Sequence, residues 1–213
     1  MAPGAPTVET SMLSVAAIGG EALGQFGDPA DPERIERGLE AFMPIWGQVD
    51  ILVNNCRTYL GKSFEDTSTE EWDKVMQRNV GAAQKLCSRV GGEMIRQGSG
   101  RVVNLISGLS ERGLWNSTAF CASHGAVLQL TKALGLEWAR KNVRVNAIGL
   151  GWMSSDAVSD EEEQKELLTR YIPLRRKSRP EDVAPLVVYL ASDACEYITG
   201  TTVHVDGGLM AHA

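Results

Sequence analysis

The chain reads as an α/β protein, a three-layer doubly wound parallel sheet, and three observations point there. Short apolar segments alternate with amphipathic stretches of ten or more residues, the rhythm of strand–helix–strand units. The strand candidates, around Ile51-Leu-Val53, Val102-Val103 and Leu105-Ile106, and Val143 to Ile148, are near-continuously apolar. A strand covered by helices on both faces needs that pattern, whereas a half-solvated one alternates. Finally, 213 residues with 43% apolar and 23% charged side chains suit one domain with a sizeable core. No internal repeat or linker divides it.

Taken in order, residues 1–12 are rich in Pro, Gly, Ser and Thr and read as a flexible N-terminal arm, leaving 13–213 as the domain. The apolar run Met12 to Ile18 passes Gly19-Gly20 and reaches Gly27-Asp-Pro-Ala-Asp-Pro32, a strand-to-helix turn. There Asp31 suits the N-cap and Pro32 the first helical position. Ile35, Leu39, Phe42 and Met43 share one face of a helix over 32–45. The strand 49–54 closes on Asn54-Asn55. Ser68 and Glu71 have capping-box spacing for a helix that runs to Gln97 and stops at Gly98. A strand over 101–106, a helix over 117–140 and a strand over 143–148 follow. Next come an acidic segment (156–166), a basic cluster (Arg170, Arg175, Arg176, Lys177, Arg179), a helix over 180–191, and a last strand over 201–205.

Composition excludes several function classes. A net charge of -6 gives no footprint for nucleic acid or an anionic membrane surface. The cysteines Cys56, Cys87, Cys121 and Cys195 show neither paired spacing nor a histidine at metal-ligand distance, so no metal site is expected and they read as reduced thiols of a cytoplasmic protein. No stretch approaches the ~18 uninterrupted apolar residues of a membrane span, and the opening residues lack the pattern of a signal peptide.

The segment Ser107 to His124 organises the rest. A serine ends an apolar strand, Phe120 follows thirteen residues later in a helix, and His124 stands one turn beyond on the same face. This layout resembles the active-site segment of the short-chain dehydrogenase/reductase superfamily, with its strand-end serine, tyrosine and lysine. Here Ser107 keeps the serine, while Phe120 and His124 replace the other two. Further matches are Asn54-Asn55-Cys56, with Arg57 where the family has glycine, and Asn79, where the family's asparagine holds a relay water. Gly149-Leu150-Gly151-Trp152, Ser155, Asp193, and Ile198 to Gly200 through Val205 to Gly208 extend the likeness over most of the chain.

The resemblance implies a Rossmann-like sheet, but one lacking the first two strands, since no strand with a glycine-rich phosphate turn precedes Gly19-Gly20. Phenylalanine has no proton to give, so Asn79, Ser107, Phe120 and His124 become degenerate family positions, with no catalytic residue and no bound cofactor. The resemblance thus implies a catalytically inactive subunit that supports an active paralogue in a heterotetramer, in a CoA-thioester alcohol dehydrogenase complex of aromatic degradation. The small residues Ala119, Ala122, Gly125 and Ala126 are its expected helix–helix interface. The alternative is a cofactor-independent lyase, hydrolase or dehalogenase in which His124 serves as base to Ser107. Two structural expectations follow. Residues 12–26 should cover the sheet edge at 49–53, and Trp115 should anchor its loop in the core.

Overall fold

A computed structural model describes residues 8–25, 27–154 and 159–211. Four parallel strands form one sheet in sequential order: β1 (Ile51–Asn54), β2 (Gly100–Ser107), β3 (Val143–Leu150) and β4 (Thr202–Val205). Each crossover is helical. Helices α3 (Thr69–Met76) and α4 (Ala82–Gln97) link β1 to β2, α5 (Thr118–Trp138) links β2 to β3, and α8 (Pro180–Ala191) lies between β3 and β4. The register sets Ser107 beside Leu150 and Leu150 beside Val205, so three strands end in one row. In an open α/β sheet the crevice beyond such a row is where ligands bind.

The core shows why the strands read as continuously apolar. Val90, Met94, Val102, Trp138 and Val145 pack together on one face, as do Ala83, Ile106, Val127, Leu128 and Ala147. Val103, Ile148, Val183 and Leu190 pack on the other, against α8. Val143, Val145, Ala147 and Ile148 of β3 are completely enclosed, and each buried Val or Ile contributes roughly 1.5–3 kcal/mol. Helix α5 comes so near the chain ahead of β4 that a Cβ on Gly135 would lie 2.5 Å from the backbone of Gly200. Gly200 itself has φ +71°, a conformation glycine adopts without strain.

Buried polar groups tie the layers. Asn54 Nδ2 donates to Asn104 Oδ1 (2.8 Å), Asn104 Nδ2 donates to Thr131 Oγ1 (2.9 Å), and that hydroxyl donates to the Val127 carbonyl (2.9 Å). Asn146 accepts the Thr201 amide and donates to the Ile198 carbonyl, fixing β4 on β3.

Four sequence expectations change. The arm proposed over 1–12 gives way at Val8 to helix α1 (Val8–Ala17), which buries none of its side chains; residues 1–7 lie outside the described set. The apolar run from Met12 is therefore helical up to Ala17, and among the described residues no strand precedes β1. Residues 12–25 do not pair with β1 either: it stays an edge strand with Ile51 and Val53 nearly half exposed. The long helix expected to end at Gln97 is interrupted by a π turn, Gln77–Gly81, with Asn79 buried inside it. Such an extra residue in a helix re-aims side chains and is common at functional sites. Last, Trp115 is 92% exposed and anchors nothing in the core. The basic cluster, by contrast, pairs with acidic neighbours: Arg176 with Asp182 (2.6 Å) and Lys177 with Glu166 (2.8 Å).

Candidate active site

Beyond the row of strand ends lies a cavity of about 670 Å³, within the usual range for small-molecule sites. Its walls are mostly apolar, supplied by Leu150, Trp152, Met153, Val183, Leu209 and Met210, among others. Against them stand a few polar groups, from Asn55, Arg57, Tyr59, Ser107, His124 and Asp206.

Ser107 ends β2 and its hydroxyl oxygen accepts the Leu109 amide at 3.2 Å, which caps the 3-10 turn Gly108–Ser110. Its own proton has no acceptor among the described residues. His124, on the first turns of α5, is 2% exposed. Its Nδ1 accepts the Ser107 backbone N–H at 3.1 Å, so the neutral ring carries its proton on Nε2. That Nε2 has no partner. Burial, then the nearby positive charge of Arg57, lowers the pKa of His124 to about 4, and the ring is uncharged at neutral pH.

Phe120 is the floor. Its ring meets the His124 imidazole at 4.3 Å between centroids and the Tyr59 phenol edge-on at 5.2 Å. The Arg57 guanidinium lies 5.8 Å from the same ring and has no ion-pair partner among the described residues. Tyr59 Oη is bonded to Ser117 Oγ at 3.0 Å. Ser117, at the N-cap of α5, makes no side-chain cap and uses its hydroxyl on the Trp115 carbonyl and on Tyr59.

Asn79 is what holds Arg57 and Tyr59 in place. From the π turn its Oδ1 accepts the Thr58 N–H (2.7 Å) and its Nδ2 donates to the Thr58 carbonyl (3.0 Å) and to Ser123 Oγ (2.8 Å). Both backbone groups of the residue between Arg57 and Tyr59 are thereby clamped, and both Nδ2 protons of Asn79 are used, leaving one lone pair on Oδ1.

The sequence-marked residues thus divide. Ser107, Phe120 and His124 line the cavity, and Asn79 supports it from behind. Of the small-residue set, Ala122 is exposed and Ala126 half-buried, but Ala119 is buried in the chain's own interior. A Cβ on Gly125 would sit 3.4 Å from the Ser110 carbonyl, so that position faces this chain's own loop. Ser155 lies outside the described residues. Sequence reading missed Arg57 and Tyr59 as cavity groups, although both follow directly on the asparagines that close β1.

The Ser107–His124 hydrolase pair expected as an alternative does not form. His124 Nδ1 is engaged by the Ser107 backbone amide rather than its hydroxyl, and no carboxylate among the described residues orients the ring.

Comparison with known proteins places this architecture. Residues 7–210 match the family model described as enoyl-(acyl carrier protein) reductase. A 2-dehydro-3-deoxy-D-gluconate 5-dehydrogenase from Dickeya dadantii is 35% identical over 92% of this chain and 79% of its own length. A 3-oxoacyl-[acyl-carrier-protein] reductase from Haemophilus influenzae is 32% identical over 97% of this chain and 86% of its own. Among solved structures, a gluconate 5-dehydrogenase from Burkholderia cenocepacia in complex with NADP and tartrate superposes with a TM-score of 0.86. It is 25% identical, over 98% of this chain and 84% of that one. The chain belongs to the short-chain dehydrogenase/reductase family.

Membership in this family corrects the functional expectation. The relatives are named as dehydrogenases and reductases across most of this chain's length. That overturns both the catalytically inactive subunit and the lyase, hydrolase or dehalogenase. Phe120 stands where those relatives' family has its tyrosine.

The fold also implies a dinucleotide, and the described glycines ahead of β1 do not fit its pyrophosphate. A pyrophosphate needs open space above a glycine turn between strand and helix. Here a Cβ on Gly20 would lie 2.8 Å from the Val15 side chain, and one on Gly24 would lie 2.2 Å from that of Val8. Those glycines pack on α1 and leave no cradle. No cluster of potential metal ligands occurs among the described residues either, and none of their helices is long and apolar enough to cross a membrane.

Proposed function

We propose that the chain takes part in alcohol–carbonyl oxidoreduction, the reaction class of its relatives, with a nicotinamide dinucleotide as the hydride donor or acceptor and Tyr59 supplying the proton that the family takes from the position of Phe120. The carrying observation is the edge-on contact of the Tyr59 phenol with the Phe120 ring inside the cavity. The phenol lines the same hollow from the opposite loop; its O–H, held by Ser117 Oγ at 3.0 Å, exchanges that bond for the substrate oxygen when it acts. Ser107 has a free hydroxyl proton with which to hold the substrate oxygen, and Tyr59 is half-exposed, so solvent can reload it through the phenol itself. General-acid groups of this kind contribute about 10²–10⁴-fold to a rate.

The same reading includes a second chain of the family, assembled with this one as a heterotetramer. Exposed apolar side chains support it: Leu136 on α5, Val188 and Tyr189 on α8, and Ile51 on the open edge. They lie on both faces of the sheet and on its edge, so more than one surface is open to association.

The test is turnover of the chain, purified with whatever accompanies it, on a panel of hydroxy and oxo compounds with NAD(H) and NADP(H). We expect measurable turnover that Tyr59→Phe lowers by about a hundredfold or more in kcat, with KM changed little. Absence of turnover on the whole panel, or an undiminished kcat in Tyr59→Phe, would overturn the reading.

A further inference from the structure

Besides the Ser107 hydroxyl proton, two polar groups of the cavity are left without partners among the described residues. One is the proton on His124 Nε2, enclosed at the inner end beside Ser107. A buried donor left unpaired costs about 1–3 kcal/mol, a cost that a ligand acceptor would remove. The other is the guanidinium of Arg57, on the exposed loop after β1. Both contact one ring, that of Phe120, so a single small ligand can reach them together. The one carboxylate among the described lining residues, Asp206, is already committed: its oxygens accept the Gly208 amide at 2.9 Å and the Met210 amide at 2.7 Å. The remaining lining is apolar, with Leu150, Trp152, Met153 and Val183 on one side and Leu209 and Met210 on another.

We propose that the cavity recognises an apolar oxo acid, or the hydroxy acid it interconverts with, the carboxylate on Arg57 and the carbonyl oxygen on His124 Nε2–H. The hydrocarbon part lies along Trp152, Met153 and Val183. This rests on the oxidoreductase reading and names its substrate class: a carbonyl and a carboxylate a few bonds apart on an apolar body. A neutral imidazole serves here as a donor, so it holds the oxygen without adding a charge. Arg57 supplies the charge-assisted bond, the stronger of the two. A sugar acid, with hydroxyls along its whole length, would leave those groups unpaired against the apolar wall.

Calorimetric titration of the full chain with three probes of one frame tests this. They are 4-phenyl-2-oxobutanoate, the neutral 4-phenyl-2-butanone, and 4-phenylbutanoate, which keeps the carboxylate and lacks the ketone. The oxo acid should bind about tenfold or more tighter than either of the others. Arg57→Gln should erase its advantage over the ketone, and His124→Met its advantage over 4-phenylbutanoate. Equal affinity for oxo acid and ketone, or an unchanged preference in Arg57→Gln, would overturn the proposal. Should His124→Met not fold, Arg57→Gln decides alone, because that side chain is exposed. Binding is read without turnover, so the outcomes separate. Oxo-acid preference without turnover sinks the oxidoreductase reading only, whereas turnover of neutral ketones without that preference sinks this proposal only.

Discussion

Strands β3 and β1 belong to one sheet and carry similarly apolar sequences, yet the protein treats them differently. Val143, Val145, Ala147 and Ile148 of β3 are sealed, with a paired strand on each side and helices above and below. In β1, Ile51 is 48% and Val53 41% exposed, and only β2 pairs with the strand. The apolarity of a strand states what it could bury; its neighbours decide what it does bury. The site follows the same division. Its inner wall, Ser107 and Leu150, stands on the sealed half, while Arg57 and Tyr59 hang from the open one and are fixed by the Asn79 clamp. A packed half thus frames the inner wall of the cavity, and a polar side-chain staple substitutes for packing at the mouth.

The contrast breaks most visibly under truncation. Ile148→Ala should cost about 2–5 kcal/mol, since the enclosed site cannot collapse around the lost methylenes. Ile51→Ala should cost less than about 1 kcal/mol, because half of that side chain already meets water. Urea unfolding of the two variants checks this; comparable losses would mean that the edge is covered in solution.

The second effect lies on the sealed half and depends on pH. His124 has its pKa lowered to about 4 by burial and then by Arg57, whereas in the unfolded chain it titrates near ~6.5. Above that value both states are neutral and the full stability is present. Between about 6.5 and 4 the unfolded chain takes up a proton that the native ring refuses, so stability falls as the pH is lowered. The full span is on the order of 3 kcal/mol. The carboxylates of Glu71, Glu93 and Glu162, held below their ordinary range by hydrogen bonds, are lost lower still. The window from pH 6.5 down to about 4.5 therefore belongs mainly to histidine. In His124→Gln, whose amide oxygen can still accept the Ser107 N–H, the slope in this window should flatten. Melting temperature against pH measures it, and an unaltered slope would place the proton elsewhere.

Much of the sealed half was legible in the sequence. The helix over 180–191 has the bounds its Pro180 start implies, and the Ser68–Glu71 capping box forms in full. The strand read over 101–106 is one residue longer at each end, and that over 143–148 starts as read and runs two residues further. Ser107, Phe120 and His124 meet because a strand end and one helical turn force them together. The open half was illegible for physical reasons. Met12 to Ile18 is apolar without a period that distinguishes strand from helix, and with no neighbour to pair with it the segment becomes helix up to Ala17. The π turn at Asn79 arises from its bonds to Thr58 and Ser123, partners 21 and 44 residues away. Arg57 and Tyr59 gave no signal either, since a loop's aim depends on that distant clamp. Nor does sequence spacing show that Ser107 would offer His124 its amide rather than its hydroxyl.

The smallest expected effect tests the open edge itself. An unpaired parallel strand with exposed Ile51 and Val53 presents free amides and carbonyls flanked by apolar side chains, the template for edge-to-edge aggregation. Beside it runs a groove of about 360 Å³ lined by Ile35, Leu39, Phe42 and Val90, with Ile51 at its margin. Ile51→Lys places a charge on that edge, while the lysine stem can still lie along the groove. The folding free energy should therefore change by less than about 1 kcal/mol, and light scattering on heating should fall because the charge opposes strand addition. A melting temperature lowered by more than about 4 °C would contradict a free edge. It would mean that β1 is already packed against another chain. The same variant would then be expected to release the second subunit proposed above on gel filtration. If Ile51→Lys instead retains its melting temperature and still co-elutes with a second subunit, the proposed assembly is held by the faces of α5 and α8, and the edge is guarded only by its shortness.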